Sequence, residues 1–388
     1  MEAPNPFTPS FGRIPPHFAG RTSFLTAMAK ALAAERRTSP DLATVLIGPR
    51  GTGKTALLGS IGQEATAHGW VVAQVTASDG MLVDVIERLQ ESAADLVEPP
   101  LSTHLKSVTV GMNFSVEFDK SSAYRGNWRT QMNSLFEQLK PYDSGILITV
   151  DEVQGNCAEL ETLTQAFQHF LTEGKPAALI MAGLPSEVSA IVSSKVVSFL
   201  RRARHRHIGR IRDADVEVTL RKTLADEGAS IDDDAMSEAV AAIDGFPYML
   251  QLVGYWMWEE APTSPITLED AQRGIRLASD ELRDSVLAAT YHELSKGDLR
   301  FLEAMLPDEG PSTLADVSQR MGVQSNYASK YKKRLMEAGV LGDIGQGRYT
   351  VELPGFKEYV RDNLAQRLDT EEAPTRTRWN SPVTPKDK

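Results

Sequence analysis

The eight residues Gly48-Pro49-Arg50-Gly51-Thr52-Gly53-Lys54-Thr55 constrain this chain more than any other stretch. They satisfy G-x-x-x-x-G-K-[ST] and stand between an apolar run at 44–47 and a helical pattern reaching about Ala67. The chemistry needs this arrangement. Glycines let the backbone curl so that successive N–H groups point inward at phosphate oxygens. The following helix begins with a partial positive charge that favours an anion. On this reading, Gly48 to Ala56 cradle a nucleoside triphosphate. Lys54 reaches its β- and γ-phosphates, and the Thr55 hydroxyl ligates Mg²⁺.

The surrounding pattern supports a sheet that presents such a loop. Apolar runs at 44–47, 70–75, 146–150 and 177–181 alternate with helical stretches, and a further strand is expected near Ile208. Interleaving of this kind makes a parallel α/β core with ligands at the carboxyl ends of its strands. The expected organisation is an extended segment at 1–20, an α/β domain at 21–210 and a helical lid at 211–290. A compact unit follows at 295–366, then a disordered polar tail at 369–388. The segment at 104–118 alternates apolar and polar residues around Gly111 and predicts an inserted hairpin.

Composition limits the alternatives. A net charge of −11 argues against coating nucleic acid along the whole surface, so any DNA contact needs a local basic patch. The single cysteine, Cys157, leaves no intrachain disulfide and fits a cytoplasmic location. No apolar run is long enough to cross a membrane, and the N-terminus has no secretory pattern. No His/Cys/Asp cluster has zinc-ligand spacing.

The run 145–150 ends in Asp151 and Glu152, an acidic pair at the ligand edge of a strand. Asp151 suits a magnesium-binding carboxylate, and Glu152 suits a group that orients or deprotonates an attacking water. The two motifs together resemble the AAA+ class of P-loop ATPases, in its archaeal-ATPase and origin-recognition-like branch. The likeness extends over about 15–350 through Ala19-Gly20-Arg21, Ser198-Phe199-Leu200-Arg201-Arg202, Ile208-Gly209 and Gly245-Phe246-Pro247-Tyr248.

The resemblance implies further roles. An arginine just before the fifth strand of such proteins reaches the γ-phosphate of a neighbouring subunit. Arg202 best matches that place, with Arg201 and Arg204 as rivals. ATP-dependent homo-oligomers are then expected. Two positions depart from the family pattern. Ala182 and Gly183 stand where many members carry a polar γ-phosphate sensor, with Ser186 further along. Tyr248 stands where many carry a sensing arginine. Slow hydrolysis, and action as a nucleotide-gated switch rather than a motor, is therefore expected.

The C-terminal unit reads helix, helix, turn, helix and β-hairpin, the order of a winged helix. Its 295–366 stretch holds ten basic and ten acidic residues, so only one helix face is basic. In a helix-turn-helix reader, Gln324, Ser325, Asn326 and Tyr327 would face base edges of double-stranded DNA. Lys330, Lys332, Lys333 and Arg348 would meet its phosphates. The fold expected overall is a P-loop AAA+ parallel sheet with a helical lid and a C-terminal winged helix. Its ligands are ATP, or ADP, and Mg²⁺. Two functions stay open: an ATPase switch associated with DNA, or a signal-transduction ATPase whose winged helix meets protein. A nucleotide-binding scaffold without turnover is the weaker third.

Overall fold

The computed structural model describes residues 4–10, 12–96, 123–193 and 198–369. The expected hairpin at 104–118 and the tail at 370–388 lie outside the described residues. The sheet comprises β1 (Ala43–Ile47), β2 (Val71–Thr76), β3 (Ile146–Asp151), β4 (Ala177–Gly183) and β5 (Arg204–His207). Their order is β2-β3-β4-β1-β5, every pairing is parallel, and the helix from β1 to β2 covers one face while the later crossovers cover the other.

The inner strands are apolar on both faces because helices cover both. Leu46, Leu147 and Ile180 pack with Met28, Leu57, Leu58 and Ile61 of helices Thr22–Ala33 and Lys54–Ala67. Val45, Ile148 and Leu179 point the other way, onto Leu82, Phe136, Phe167 and Phe170 of helices Met81–Leu96, Ala123–Leu139 and Ala158–Thr172. β5 differs. It reads Arg-His-Arg-His, it is an edge strand, and its charged side chains are largely exposed. The fifth strand was expected near Ile208. It ends one residue earlier, yet the Ile208 amide still bonds Ile47 O at 2.7 Å, so pairing with β1 continues into the exit of the sheet.

Helices Asp213–Asp226, Asp233–Ile243, Pro247–Glu260 and Leu268–Leu282 follow. A π-helical turn at Arg283–Leu287 leads into Ala288–Glu293. A capping box then opens helix Lys296–Met305: Ser295 Oγ accepts from Asp298 N, and Asp298 accepts from Ser295 N. Helices Leu314–Arg320 and Ser325–Glu337 come next, then β7 (Leu341–Gly345), β8 (Arg348–Val351) and a final helix, Phe356–Asp369.

Two features of this unit go beyond the sequence reading. Ser312–Thr313 form a short strand, β6, that pairs with β8, and Thr313 also caps the next helix. The closing helix buries Phe356, Val360 and Leu364, an i, i+4, i+8 stripe. The apolar core is continuous from Val216 through Leu252 and Leu299 to Leu364, so these helices and the C-terminal unit share one packed interior.

Trp70 ties the two ends of the α/β unit together. It is 1% exposed, donates from Nε1 to Leu32 O at 2.9 Å, and lies under the Arg37 guanidinium. A Cβ on Gly145 would stand 2.7 Å from its ring, so only glycine leads into β3 here. Trp70→Ala is expected to destabilise the α/β unit by about 3–5 kcal/mol, read as an earlier urea transition by circular dichroism. A loss below about 1 kcal/mol would contradict this packing account.

Candidate functional site

The carboxyl ends of β1, β3 and β4 meet at one edge. Ile47 pairs with Gly183, and Val150 with Met181, so the loop after β1 and the acids after β3 emerge side by side. Gly51 and Gly53 have φ of +75° and +83°, the left-handed conformations that a tight anion-holding turn requires. Thr52 is 3% exposed and holds the loop from within, donating Oγ1 to Pro49 O at 2.8 Å. Gly53 caps the helix that Lys54 opens, so the first amides of that helix face the loop cavity.

Lys54 folds back over this loop, its Nζ donating to Gly48 O at 2.8 Å and to Pro49 O at 2.6 Å. Burial strips water from the ammonium and pulls its pKa from 10.5 down to about 8, against the opposing pull of Asp151. The cation is therefore poorly solvated and lacks a full counter-charge, which a phosphate would supply.

The second half of the site lies across the cleft. The Thr55 hydroxyl donates to Asp151 Oδ2 at 2.5 Å. Asp151 Oδ1 accepts from the Glu152 amide at 2.8 Å. Glu152 has φ +50°, unusual for a residue with a Cβ, and its carboxylate is exposed beside the loop. Val153 N bonds Ala182 O at 2.9 Å, which fixes the acid pair against β4. The donor set fits a magnesium nucleotide. Thr55 and Asp151 offer converging hard oxygens of the kind magnesium takes. Among the described residues, no cluster of three or more His, Cys, Asp and Glu could hold a metal.

Segments that the sequence reading tied to the family likeness, without a role at the loop, close over it. A Cβ on Gly48 would stand 2.0 Å from Ile208 O, and one on Gly51 would stand 2.4 Å from the Phe246 ring. Ile211 N bonds Gly245 O at 2.7 Å, and Arg21 donates to Gly209 O at 2.5 Å. Burial lowers the pKa of the Arg21 guanidinium, with Asp215 acting the other way. The Gly20-Arg21 and Gly245-Phe246-Pro247 segments thus meet at the stretch that follows β5. Their spacing in sequence gave no sign of this contact.

The positions where many AAA+ members carry phosphate sensors, and this chain does not, are placed as follows. Ala182 and Gly183 end β4 at this edge, and a Cβ on Gly183 would stand 2.3 Å from Val153. Ser186 Oγ, in helix Pro185–Ser193, is buried and finds no hydrogen-bond partner among the described residues. Tyr248 faces Glu281 and Ser285, and burial pushes its phenol up.

Arg202 precedes β5, whose Arg204 pairs with Thr44 at the amino end of β1. At about 3.3 Å per residue it lies on the order of 15 Å from the loop of its own chain. It is exposed, and no bond or ion pair holds its guanidinium among the described residues. Arg201 instead donates to Val192 O at 3.0 Å, while Arg204 is exposed on the edge strand.

On helix Ser325–Glu337, Gln324, Ser325, Asn326, Tyr327, Lys330 and Lys333 are exposed, as is Arg348 on β8. Lys332 is half-buried, with its ammonium 5.8 Å over the Tyr349 ring. Tyr327 and Ile344, the latter near the hairpin tip, are both 53% exposed. The far end of the same helix faces the phosphate loop. A Cβ on Gly339 would lie 3.4 Å from Arg50 N and 3.5 Å from the Leu184 side chain.

Comparison with known proteins agrees with this geometry. Residues 17–184 match the family model of the AAA ATPase domain. Residues 284–360 match one described only as a domain of unknown function. No curated protein matches the chain. Among solved structures, the Walker-type ATPase PABY2304 of Pyrococcus abyssi is similar, with a TM-score of 0.61 at 15% identity. The match covers 89% of this chain and 96% of that one. The ORC2 protein of Aeropyrum pernix, solved in ADPNP and ADP complexes, gives a TM-score of 0.54 at 14% identity. It covers 93% of this chain and 98% of that one. At such identities the likeness is one of fold, and the fold is that of a P-loop AAA+ nucleoside triphosphatase.

Proposed function

We propose that this protein is an ATP-dependent switch that binds and slowly hydrolyses ATP, and that its C-terminal unit is a winged helix that contacts duplex DNA. The observation that carries the ATPase reading is the 2.5 Å contact of Thr55 with Asp151 beside the exposed Glu152 carboxylate. The nucleotides in the ORC2 structure support adenine nucleotide as the ligand.

In this reading the amides of residues 50–56 bind phosphate oxygens, and Lys54 gives up its loop carbonyls for the β- and γ-phosphates. Thr55 and Asp151 would hold Mg²⁺, which would supply positive charge to offset that of the phosphates. Glu152 accepts a proton from, or orients, the attacking water; it is exposed and follows directly on Asp151 at the strand end. Arg202 stabilises developing charge on the phosphoryl group of a neighbouring copy, since it lies too far from its own loop. The apolar Ala182 and the lid-facing Tyr248 leave two sensing positions unfilled, which keeps turnover low.

A second reading has its own support. The packing of Gly339 on Arg50 and the Arg210 bond to Glu352 O at 3.4 Å put the C-terminal unit against the phosphate loop and the stretch that follows β5. That arrangement suits a signal-transduction switch in which bound nucleotide governs a protein-binding face. Hydrolysis stimulated by duplex DNA, and weakened by salt, favours the DNA reading. ATP-driven assembly indifferent to DNA favours the other.

Three outcomes are expected. Glu152→Gln retains ATP affinity while turnover falls by roughly 10²-fold or more, in a phosphate-release assay; full turnover would remove Glu152 from the chemistry. Mixing Arg202→Ala with Glu152→Gln restores part of the activity that each lacks alone, because each copy completes the other's site; no recovery would argue against an arginine in trans. Reversing Lys330 and Lys333 to Glu abolishes duplex binding in an anisotropy titration, whereas unchanged binding would remove the helix Ser325–Glu337 from the interface.

A further inference from the structure

The N-terminal segment runs past Thr55 and is anchored on two helices, Pro247–Glu260 and the helix that Lys54 opens. One anchor lies on helix Pro247–Glu260. Phe7 is 2% exposed there, and a Cβ on Gly254 would stand 2.4 Å from its ring, so the helix has a glycine notch where Phe7 sits. Asn5 Nδ2 donates to Tyr255 O at 3.1 Å and to Glu259 Oε1 at 2.8 Å, and its Oδ1 accepts from Phe7 N at 3.0 Å. Thr8 N donates to Gln251 Oε1 at 3.1 Å.

The other anchor lies on the phosphate-loop helix. A Cβ on Gly59 would stand 3.1 Å from Ile14 Cδ1, so Ile14 also seats on a glycine. Between the anchors, Gly12 has φ +72° and passes Thr55, with its Cβ position 3.8 Å from Thr55 Cγ2. His17 then meets Asp226 at 2.5 Å, on helix Asp213–Asp226. A cavity of about 290 Å³ lies under the segment, lined by Pro6, Ile14, Pro16, Thr223, Asp226 and Glu227.

We infer that residues 5–10 and 12–17 form a strap that gates nucleotide exchange, with Phe7 in its lid notch as the latch. The inference rests on the reading of residues 48–55 as a nucleotide site. Its physical basis is the attachment of the strap. Helix Pro247–Glu260 starts against the phosphate loop, where a Cβ on Gly53 would stand 4.0 Å from Pro247 Cβ, so moving that helix away from the helix opened by Lys54 pulls one anchor out. Phe7 is the anchor with the most apolar area to lose. A nucleotide beside Thr55 must pass the strap both on entry and on exit. The strap therefore slows both rates and changes affinity less than either, because only the open fraction exchanges.

The test is stopped-flow capture and release of a fluorescent N-methylanthraniloyl ADP by the full chain. Phe7→Ala is expected to raise both rates by roughly tenfold, with a smaller change in Kd. The pair Asn5→Ala with Gln251→Ala, which keeps Phe7 in its notch, is expected to raise both by a few-fold. This pair decides the matter should Phe7→Ala loosen the lid, as seen by near-UV circular dichroism. Saturable binding with unchanged rates in both variants overturns the strap while leaving the nucleotide site intact. No saturable binding by the wild-type chain removes the nucleotide site and the strap together.

Discussion

The hydrogen bond between the Thr55 hydroxyl and the Asp151 carboxylate is the contact on which the rest of this structure turns. The two residues stand 96 positions apart in the chain and meet because β1 and β3 flank β4 in parallel register. Parallel pairing sends every carboxyl end to one edge, and the loop and the acids emerge there together. Other pairing orders would separate them. Once they meet, the cleft holds two hard oxygens, a desolvated ammonium and a turn of amides in one place.

Much of this was legible in the sequence. The strands β1 to β4 announce themselves as apolar runs because both sheet faces are covered, and Gly51 and Gly53 mark the turn that only glycine adopts readily. β5 was less legible. Its residues Arg204 to His207 are held by pairing with β1 and not by burial, so they carry no apolar pattern. The helix Phe356–Asp369 did carry one, in the stripe Phe356, Val360 and Leu364, which was not read. The contact of Phe246 with Gly51 could not be read at all. It is a long-range approach whose only local trace is the absence of a side chain at Gly51. The same holds for Phe7 and Gly254.

The packing also joins parts that the sequence divides. Residues from helix Asp213–Asp226 to the last helix share one interior, and the C-terminal unit touches the phosphate loop through Gly339. One helix, Ser325–Glu337, thus presents exposed polar and basic residues near its start, while the turn after its end lies against Arg50. A helix of this length is a stiff rod of about 20 Å. Movement at either end must be felt at the other, which gives a direct physical route between nucleotide and the exposed face, whichever macromolecule binds there.

The central claim is that Thr55 and Asp151 act as one metal-holding unit. A calorimetric titration of Mg²⁺-ATP into wild type, Thr55→Val, Asp151→Asn and the double variant tests it most directly. The account predicts saturable binding by wild type. It also predicts losses that are strongly non-additive, with a coupling of about 1 kcal/mol or more between the two positions. Additive losses, or no nucleotide uptake by the wild-type chain, would contradict it.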